Sequence, residues 1–252
     1  MLEHKKIQNL SDYFVELNSR REKGVYFYRI NGYSEEVGEF IKKYYDTARR
    51  TGVVIEGKIP NPDEGNLAYY NEIMGMDFQM SMDFIHVSLR KWLPRMNEFQ
   101  RQNVAASIYD SLDSLRKAGK TENMLRNAYI KFMCWLYYKF ERIVNQLGEN
   151  HIPKILYEGQ ISNYELMLIS ILSNAGCDVV LLQYAGDQGY LKTDPGSVLS
   201  DSLQMEGLQP FPQGYCVKKV RDEIQNELNN ERLYGIRPSL TNCTNASVSY
   251  TH

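Results

Sequence analysis

The stretch that decides the fold is Lys154-Ile155-Leu156-Tyr157-Glu158-Gly159, followed by Ser162-Asn163-Tyr164-Glu165 and later by Gly176-Cys177-Asp178-Val179-Val180-Leu181-Leu182. Its two short apolar runs are typical of strands that are buried on both faces. Between them, Ser162 and Glu165 form a capping box, and Gly176 stands where a helix needs a left-handed terminal residue. The pattern therefore predicts a parallel βαβ unit.

A second unit of the same order lies near the start of the chain. Val25–Ile30 is a β-prone run, Asn31-Gly32 makes a turn, and Ser34 begins an amphipathic helix that ends at Gly52. Val53–Ile55 is then the next strand. Either an internal duplication or chance could explain why the two units have the same order of elements.

The residues between the units predict helices. From about Tyr69 to Leu147 there is almost no strand signal, and Thr121 is the cap of a helix expected from Glu122 to about Leu147. Apolar residues nearly all round that helix predict burial. Charged residues such as Lys131 and Arg142 recur too often in it for a membrane span.

Together these patterns predict an α/β fold, a doubly wound and mostly parallel sheet with a helical middle segment. The expected strands are Val25–Ile30, Val53–Ile55, Ile155–Tyr157 and Val179–Leu182. The expected organisation is a first βαβ unit at 1–68, a helical segment at 69–150, a second βαβ unit at 151–238, and a disordered or truncated tail at 239–252.

Composition restricts the partners. The net charge is −2 and the pI is near 6.1, so there is no electrostatic case for a nucleic-acid partner. The first residues lack the apolar core of a secretory signal. Four cysteines without metal-ligand spacing are typical of reduced thiols, which predicts a cytoplasmic protein. Several of the 19 tyrosines could stack on bases, although tyrosines at the edge of a core are the simpler explanation.

Four short motifs carry a resemblance to a known family: Tyr26–Gly32, Ile59-Pro60, Pro153–Gly159 and Gly235–Pro238. With them the chain resembles the bacillus-type YceG family, which is distinct from the lytic transglycosylase that has shared the name. The resemblance implies a bacterial, cytoplasmic component of a biosynthetic or stress-response module linked to tellurite resistance, with proteins of that system as partners. It also implies that the chain corresponds to the N-terminal half of a longer protein. It carries over no catalytic residue.

The candidate ligand site is the edge formed by the carboxyl ends of the strands, because open α/β sheets bind ligands there. Free N–H groups at helix N-termini favour an anionic small molecule. The candidate ligand-binding residues lie at the end of a strand, follow one, or belong to the glycine-rich loop after the last one: Arg29, Asn31, Gly32, Glu158, Gly159, Ser162, Asn163 and Asp187.

These candidates have simpler explanations beside the functional ones. Arg29 could pair with a phosphate or carboxylate through two hydrogen bonds, or it could form a surface salt bridge. Ser162 and Asn163 could bind a phosphate or serve only as a helix cap. The loop that holds Asp187 could wrap a ligand or act as a connector. No metal site, cofactor or catalytic residue is indicated; in particular, His86 and His151 have no ligand-like neighbours.

Two functional classes remain open at this stage. The first is an enzyme, or half of one, that acts on a phosphorylated or nucleotide-linked metabolite. The expected layout resembles that of nucleotide-sugar glycosyltransferases, although this is an analogy of folds only. The second is a non-catalytic interaction protein of the same stress system.

Overall fold

The computed structural model describes residues 1–61, 67–148 and 152–235. The chain divides into two compact units, Met1–Tyr215 and Cys216–His252, each of which is treated by itself. The expected tail at 239–252, together with His151, lies outside the described residues.

The first unit contains a five-stranded sheet in which all neighbouring strands are parallel, in the order β2-β3-β4-β1-β5. Its strands are β1 (Phe27–Ile30), β2 (Val53–Glu56), β3 (Lys154–Glu158), β4 (Asp178–Leu182) and β5 (Asp201–Ser202). The α/β doubly wound prediction is confirmed. The sequence analysis missed β5, because two polar residues give no strand pattern.

Each face of the sheet is covered by different helices. Helix α1 (Glu35–Thr51) packs along β2 and β3, and its Tyr44 hydroxyl donates to the carbonyl oxygen of Asp178, 3.1 Å away. The opposite face carries Ile155, Tyr157, Val179 and Leu181, which share one apolar core with the helices of the middle segment and with the helix that joins β3 to β4. Buried strands between two helical layers explain the unbroken apolar runs.

The middle segment is helical, as predicted. It consists of α2 (Ala68–Met74), α3 (Met82–Trp92), α4 (Glu98–Lys117), α5 (Glu122–Lys139) and α6 (Glu141–Val144). The single helix expected from Glu122 to about Leu147 was wrong, because it is broken at Phe140. No glycine or proline marks the break, and the ring of Phe140 is buried there (1% exposed).

The next elements complete the sheet connections. Helix α7 (Asn163–Ala175) joins β3 to β4, and the short helix α8 (Gln188–Leu191) lies between β4 and β5. Helix α7 has the predicted capping box of Ser162 and Glu165, and it ends at Gly176 with a φ of 135°. That positive φ is why glycine is needed there.

A buried charge cluster holds the amino ends of the central strands. Asp178, at the start of β4, accepts hydrogen bonds from Lys154 Nζ (2.5 Å), Arg20 Nη1 (2.9 Å) and the Tyr26 backbone N–H (2.9 Å). The Asp178 and Arg20 side chains are fully buried. Burial lowers the pKa of Lys154, which Asp178 partly offsets. This cluster lies at the end of the sheet opposite the predicted site, so we assign it to folding.

The second unit contains α9 (Val217–Tyr234), where the sequence predicts a polar helix over Arg221–Leu233. The helix ends at Gly235, which is left-handed with a φ of 63° and donates its N–H to Glu231 O at 2.9 Å. Within the described ranges, 1–61, 67–148 and 152–235, no helix is long and apolar enough to cross a membrane.

Candidate functional site at the carboxyl edge of the sheet

The chain topology singles out the gap between β1 and β4. The chain leaves these neighbouring strands toward opposite faces of the sheet. After β1 it continues into α1 on one face, and after β4 it continues over the other face, where Tyr190 belongs to the same core as the middle helices. Such a divergence is a topological switch point, where open α/β sheets form a ligand crevice. The residues that leave the two strands here are Asn31 to Tyr33 and Gln183 to Tyr184.

Arg29 lies at this edge but is not a free cation. Its Nε and Nη2 atoms donate to the two carboxylate oxygens of Asp187, each at 2.9 Å. Its Nη1 donates to Ser200 O at 2.7 Å and to Ser200 Oγ at 2.8 Å. The side chain is 2% exposed. Two of the predicted site residues, Arg29 and Asp187, are thus paired with each other. Arg29 forms a salt bridge, but its side chain is buried and does not lie on the surface.

A second layer of polar contacts fixes the loop after β4. The guanidinium carbon of Arg29 lies 4.2 Å from the centroid of the Tyr190 ring. The Tyr190 hydroxyl donates to Asp194 Oδ2 at 2.8 Å and accepts from Ser200 Oγ at 2.7 Å. Because these donors and acceptors are buried, the network holds residues 187–200 in one arrangement over the strand ends.

Asn31 and Gly32 follow β1 at this edge of the sheet. Asn31 Nδ2 donates to Ser202 Oγ at 3.1 Å, which links the end of β1 to β5. A Cβ atom on Gly32 would lie 3.0 Å from Leu208 Cβ, so the close approach of this segment favours glycine. Tyr33 and Gln209 exchange two backbone hydrogen bonds of 2.6 and 2.8 Å. Residues 208–209 therefore pack directly against the turn after β1.

Four aromatic rings gather at the switch point, and all four are half-buried: Tyr33, Tyr184, Phe211 and Tyr215. The Tyr33 ring lies 5.8 Å from Phe211 and 5.3 Å from Tyr215, and the Tyr184 ring lies 4.9 Å from Phe211 (centroid distances). We call this set the aromatic cluster. The sequence analysis missed Tyr33, Phe211 and Tyr215 as site residues, because about 180 residues separate the first from the other two.

Glu158 connects β3 to the aromatic cluster. The Tyr184 hydroxyl donates to Glu158 Oε2 at 2.5 Å, so a carboxylate stands beside the rings. Gly159 follows with a φ of 103°; its N–H donates to Leu182 O, and its carbonyl oxygen accepts from Gln183 Nε2 at 3.0 Å. These contacts fix the ends of β3 and β4 against each other.

Ser162 and Asn163 are exposed at the N-terminus of α7, where Glu165 supplies a negative charge. Glu165 Oε2 accepts from the Ser162 N–H (3.1 Å) and Oγ (2.6 Å), and its Oε1 accepts from the Ile59 N–H at 2.6 Å. The chain's own carboxylate thus balances the positive end of the helix dipole. This arrangement favours the reading of Ser162 as a cap.

The eight predicted residues share one edge but form two groups. Arg29, Asn31, Gly32 and Asp187 lie around β1, whereas Glu158, Gly159, Ser162 and Asn163 lie around β3. One strand, β4, separates the groups, which corresponds to roughly 10 Å. Tyr184 bridges the gap through Glu158. Their role in ligand binding stays a prediction.

Two features beside this edge were not anticipated. A cavity of about 450 Å³ adjoins β5, and its lining includes Tyr28, Glu36, Ser202 and Gln204. The second feature is Lys131 of α5. Its ammonium lies 5.2 Å from the centroid of the Tyr164 ring, in the first turn of α7. Helical spacing placed Lys131 on α5, but only the tertiary structure brings it near α7. Over the described part of the chain, no cluster of histidine, cysteine or acidic residues could hold a metal.

The comparison with family models gives one match, to the YceG domain, over residues 5–227. The chain belongs to the YceG domain family. All eight candidate residues and the whole aromatic cluster fall inside the YceG domain match. No curated protein and no solved structure gives a significant match to this YceG domain protein.

Proposed function

We propose that this YceG domain protein binds a nucleotide-linked metabolite at the β1–β4 switch point. The observation that carries the proposal is the aromatic cluster of Tyr33, Tyr184, Phe211 and Tyr215 at that point. Half-buried rings offer faces on which a nucleobase can stack, and each stacked base contributes roughly 1–3 kcal/mol. The position of the rings supports the proposal, because a sheet of this topology binds ligands at its switch point.

The charges at this edge favour the nucleoside part of such a ligand over its phosphates. The Glu158 carboxylate stands beside Tyr184 and can accept hydrogen bonds from ribose or sugar hydroxyls. Glu165 already occupies the positive end of α7, and Arg29 already holds Asp187. We therefore expect recognition to depend on the base and the hydroxyl groups, with the phosphate contributing little.

The test is a thermal-shift panel that contains nucleosides, nucleoside diphosphates, nucleotide sugars and inorganic phosphate. A ligand that binds only the folded protein stabilises it by about 2.7 kcal/mol at a hundredfold excess over its Kd. We expect a rise in Tm with at least one nucleoside-containing compound and none with phosphate. Phe211→Leu keeps the apolar bulk but removes a ring, and it should abolish the response.

The matched control is Tyr109→Leu, which removes a half-buried tyrosine of α4 that lies outside the aromatic cluster. It should respond to the ligand as the unaltered protein does. If no compound of the panel raises the Tm, or if Phe211→Leu responds normally, the aromatic cluster is a packing feature and the proposal fails.

We further propose that the protein works within a biosynthetic or stress-response module linked to tellurite resistance, as the family resemblance implies. A non-catalytic interaction role is the second candidate. Two exposed apolar side chains favour it, Val87 on α3 (60% exposed) and Phe99 on α4 (51% exposed). If that role holds, Val87→Asp should abolish binding to proteins of the module while leaving the thermal-shift response to nucleotides unchanged.

A further inference from the structure

A cleft lies between α2 and α5, and it is separate from the proposed nucleotide site. Its volume is about 320 Å³, and Tyr70 and Met74 of α2 form one wall. The other wall is a single face of α5, because its lining residues recur at helical spacing: Asn127, Ile130, Lys131, Cys134 and Trp135. We call it the α2–α5 cleft.

The walls of the α2–α5 cleft are firmly held. On the other side of α2, the Tyr69 ring stacks on Tyr137 with centroids 3.9 Å apart and planes inclined by 10°. Arg126 Nη2 donates to Met74 O at 2.5 Å, which fixes the end of α2 to α5. These two contacts hold α2 against α5 beside the cleft.

Among the described residues that line the α2–α5 cleft, Lys131 is the one charged side chain. The Lys131 ammonium lies 5.1 Å from the Trp135 ring centroid and 5.2 Å from that of Tyr164, so two aromatic faces hold it. Within the described ranges, the salt bridges of the structure do not include Lys131. An apolar wall with one ammonium beside it matches a ligand with an apolar body and one anionic group.

We propose that the α2–α5 cleft binds a compact aromatic or aliphatic carboxylate, whose carboxylate pairs with Lys131 and whose apolar part contacts Met74, Ile130 and Trp135. The volume lies near the lower end of the range for small-molecule sites, which favours a compact ligand. Asn127 adds amide groups that can hydrogen-bond a second polar atom. This inference does not rest on the proposed nucleotide site.

The chain has two tryptophans, so Trp135 can report on the cleft by itself in a Trp92→Phe background. The probes are 3-phenylpropionate, its neutral amide and the corresponding propylammonium cation, which share one shape. We expect 3-phenylpropionate to change the Trp135 fluorescence saturably. We expect the amide to bind about tenfold more weakly, as the loss of a charge-assisted hydrogen bond requires, and the cation more weakly still.

Lys131→Gln should lower the affinity for 3-phenylpropionate to that for the amide and should leave amide binding unchanged. Lys91→Gln in the same background is the control, because it removes the charge of another exposed lysine that does not line the α2–α5 cleft. It should bind all three probes as the Trp92→Phe parent does, and thermal melting should show both variants folded. Equal affinities for acid and amide, no saturable binding of 3-phenylpropionate, or a Lys131→Gln variant that retains full acid affinity would each overturn the proposal.

Discussion

Arg29 and Asp187 form a two-pronged ion pair across 158 residues of sequence, with both nitrogen–oxygen distances at 2.9 Å. The pair anchors the loop after β4 to the strand β1 at the switch point. Arg29 therefore contributes to the site mainly by holding the loop after β4 in position. Any direct contact between Arg29 and a ligand would have to share or replace its bonds to Asp187.

Asp187→Asn should destabilise the protein by about 3–5 kcal/mol, because it leaves the nearly buried Arg29 guanidinium without a counter-charge. Urea denaturation measures the loss as a change in the free energy of unfolding. Asp46→Asn is the control, since Asp46 pairs with Arg49 and Arg50 on the surface of α1 and should cost less than about 1 kcal/mol.

A double variant separates the ion pair from the packing around it. Arg29→Met with Asp187→Leu removes both charges, and we expect it to be more stable than Asp187→Asn alone, since no unpaired charge remains. A double variant that is no more stable than Asp187→Asn would show that the two residues act independently.

Glu165→Ala should cost about 2–4 kcal/mol of stability, because two separate losses add. The capping box with Ser162 is worth about 1 kcal/mol, and the buried Ile59 N–H would lose its acceptor at roughly 1–3 kcal/mol more. Glu122→Ala is the control, as Glu122 also lies in the first turn of a helix but is exposed. Chemical denaturation should show a loss of less than about 1 kcal/mol for Glu122→Ala; equal losses would contradict the role of Ile59.

Phe132→Ala should lower the free energy of unfolding by about 3–5 kcal/mol, because this ring of α5 is fully buried. The burial predicted for the helical stretch from Glu122 to about Leu147 is confirmed at Phe132, Trp135, Leu136 and Phe140, which are 0% to 5% exposed. Val87→Ala, at an exposed position of α3, should change the unfolding free energy by less than about 1 kcal/mol. A loss below about 1 kcal/mol for Phe132→Ala would mean that the core repacks without a cavity.

Stability should fall as the pH rises above about 9. Burial raises the pKa of the Cys134 thiol from 9.0 to about 11 and that of Tyr129 from 10.0 to about 12. At a pH between the pKa of such a group in the unfolded chain and its pKa in the folded chain, the group has lost its proton in the unfolded chain but keeps it in the folded chain. Because the unfolded state then binds fewer protons, the free energy of unfolding decreases with rising pH.

Denaturation at about pH 8 and about pH 10.5 checks this expectation. Cys134→Ala should reduce the decrease in unfolding free energy between these two pH values. Val87→Ala, which removes no titratable group, is the control and should leave the fall in unfolding free energy unchanged. If Cys134→Ala shows the same fall as the unaltered protein, the Cys134 thiol does not contribute.

Local signals were enough to predict most of the secondary structure. The capping box at Ser162, the glycine at the end of α7 and the apolar runs of β3 and β4 are each read within a few neighbouring residues. The broken helix is the counter-example, since nothing near Phe140 in sequence interrupts the helical pattern. The ring of Phe140 is buried at that end of the helix, and its burial depends on tertiary contacts.

By itself, the sequence determined the α/β class, the helical middle segment and the edge of the sheet where a site should lie. Periodicity, caps and turns are local, and parallel strands bring their carboxyl ends together. Only the tertiary structure decided that Arg29 is bound to Asp187, that Tyr33 meets Phe211 and Tyr215, and that Lys131 faces Trp135 and Tyr164. Apart from Lys131 with Trp135, these contacts join residues far apart in the chain, and long-range packing leaves no mark in a short stretch of sequence.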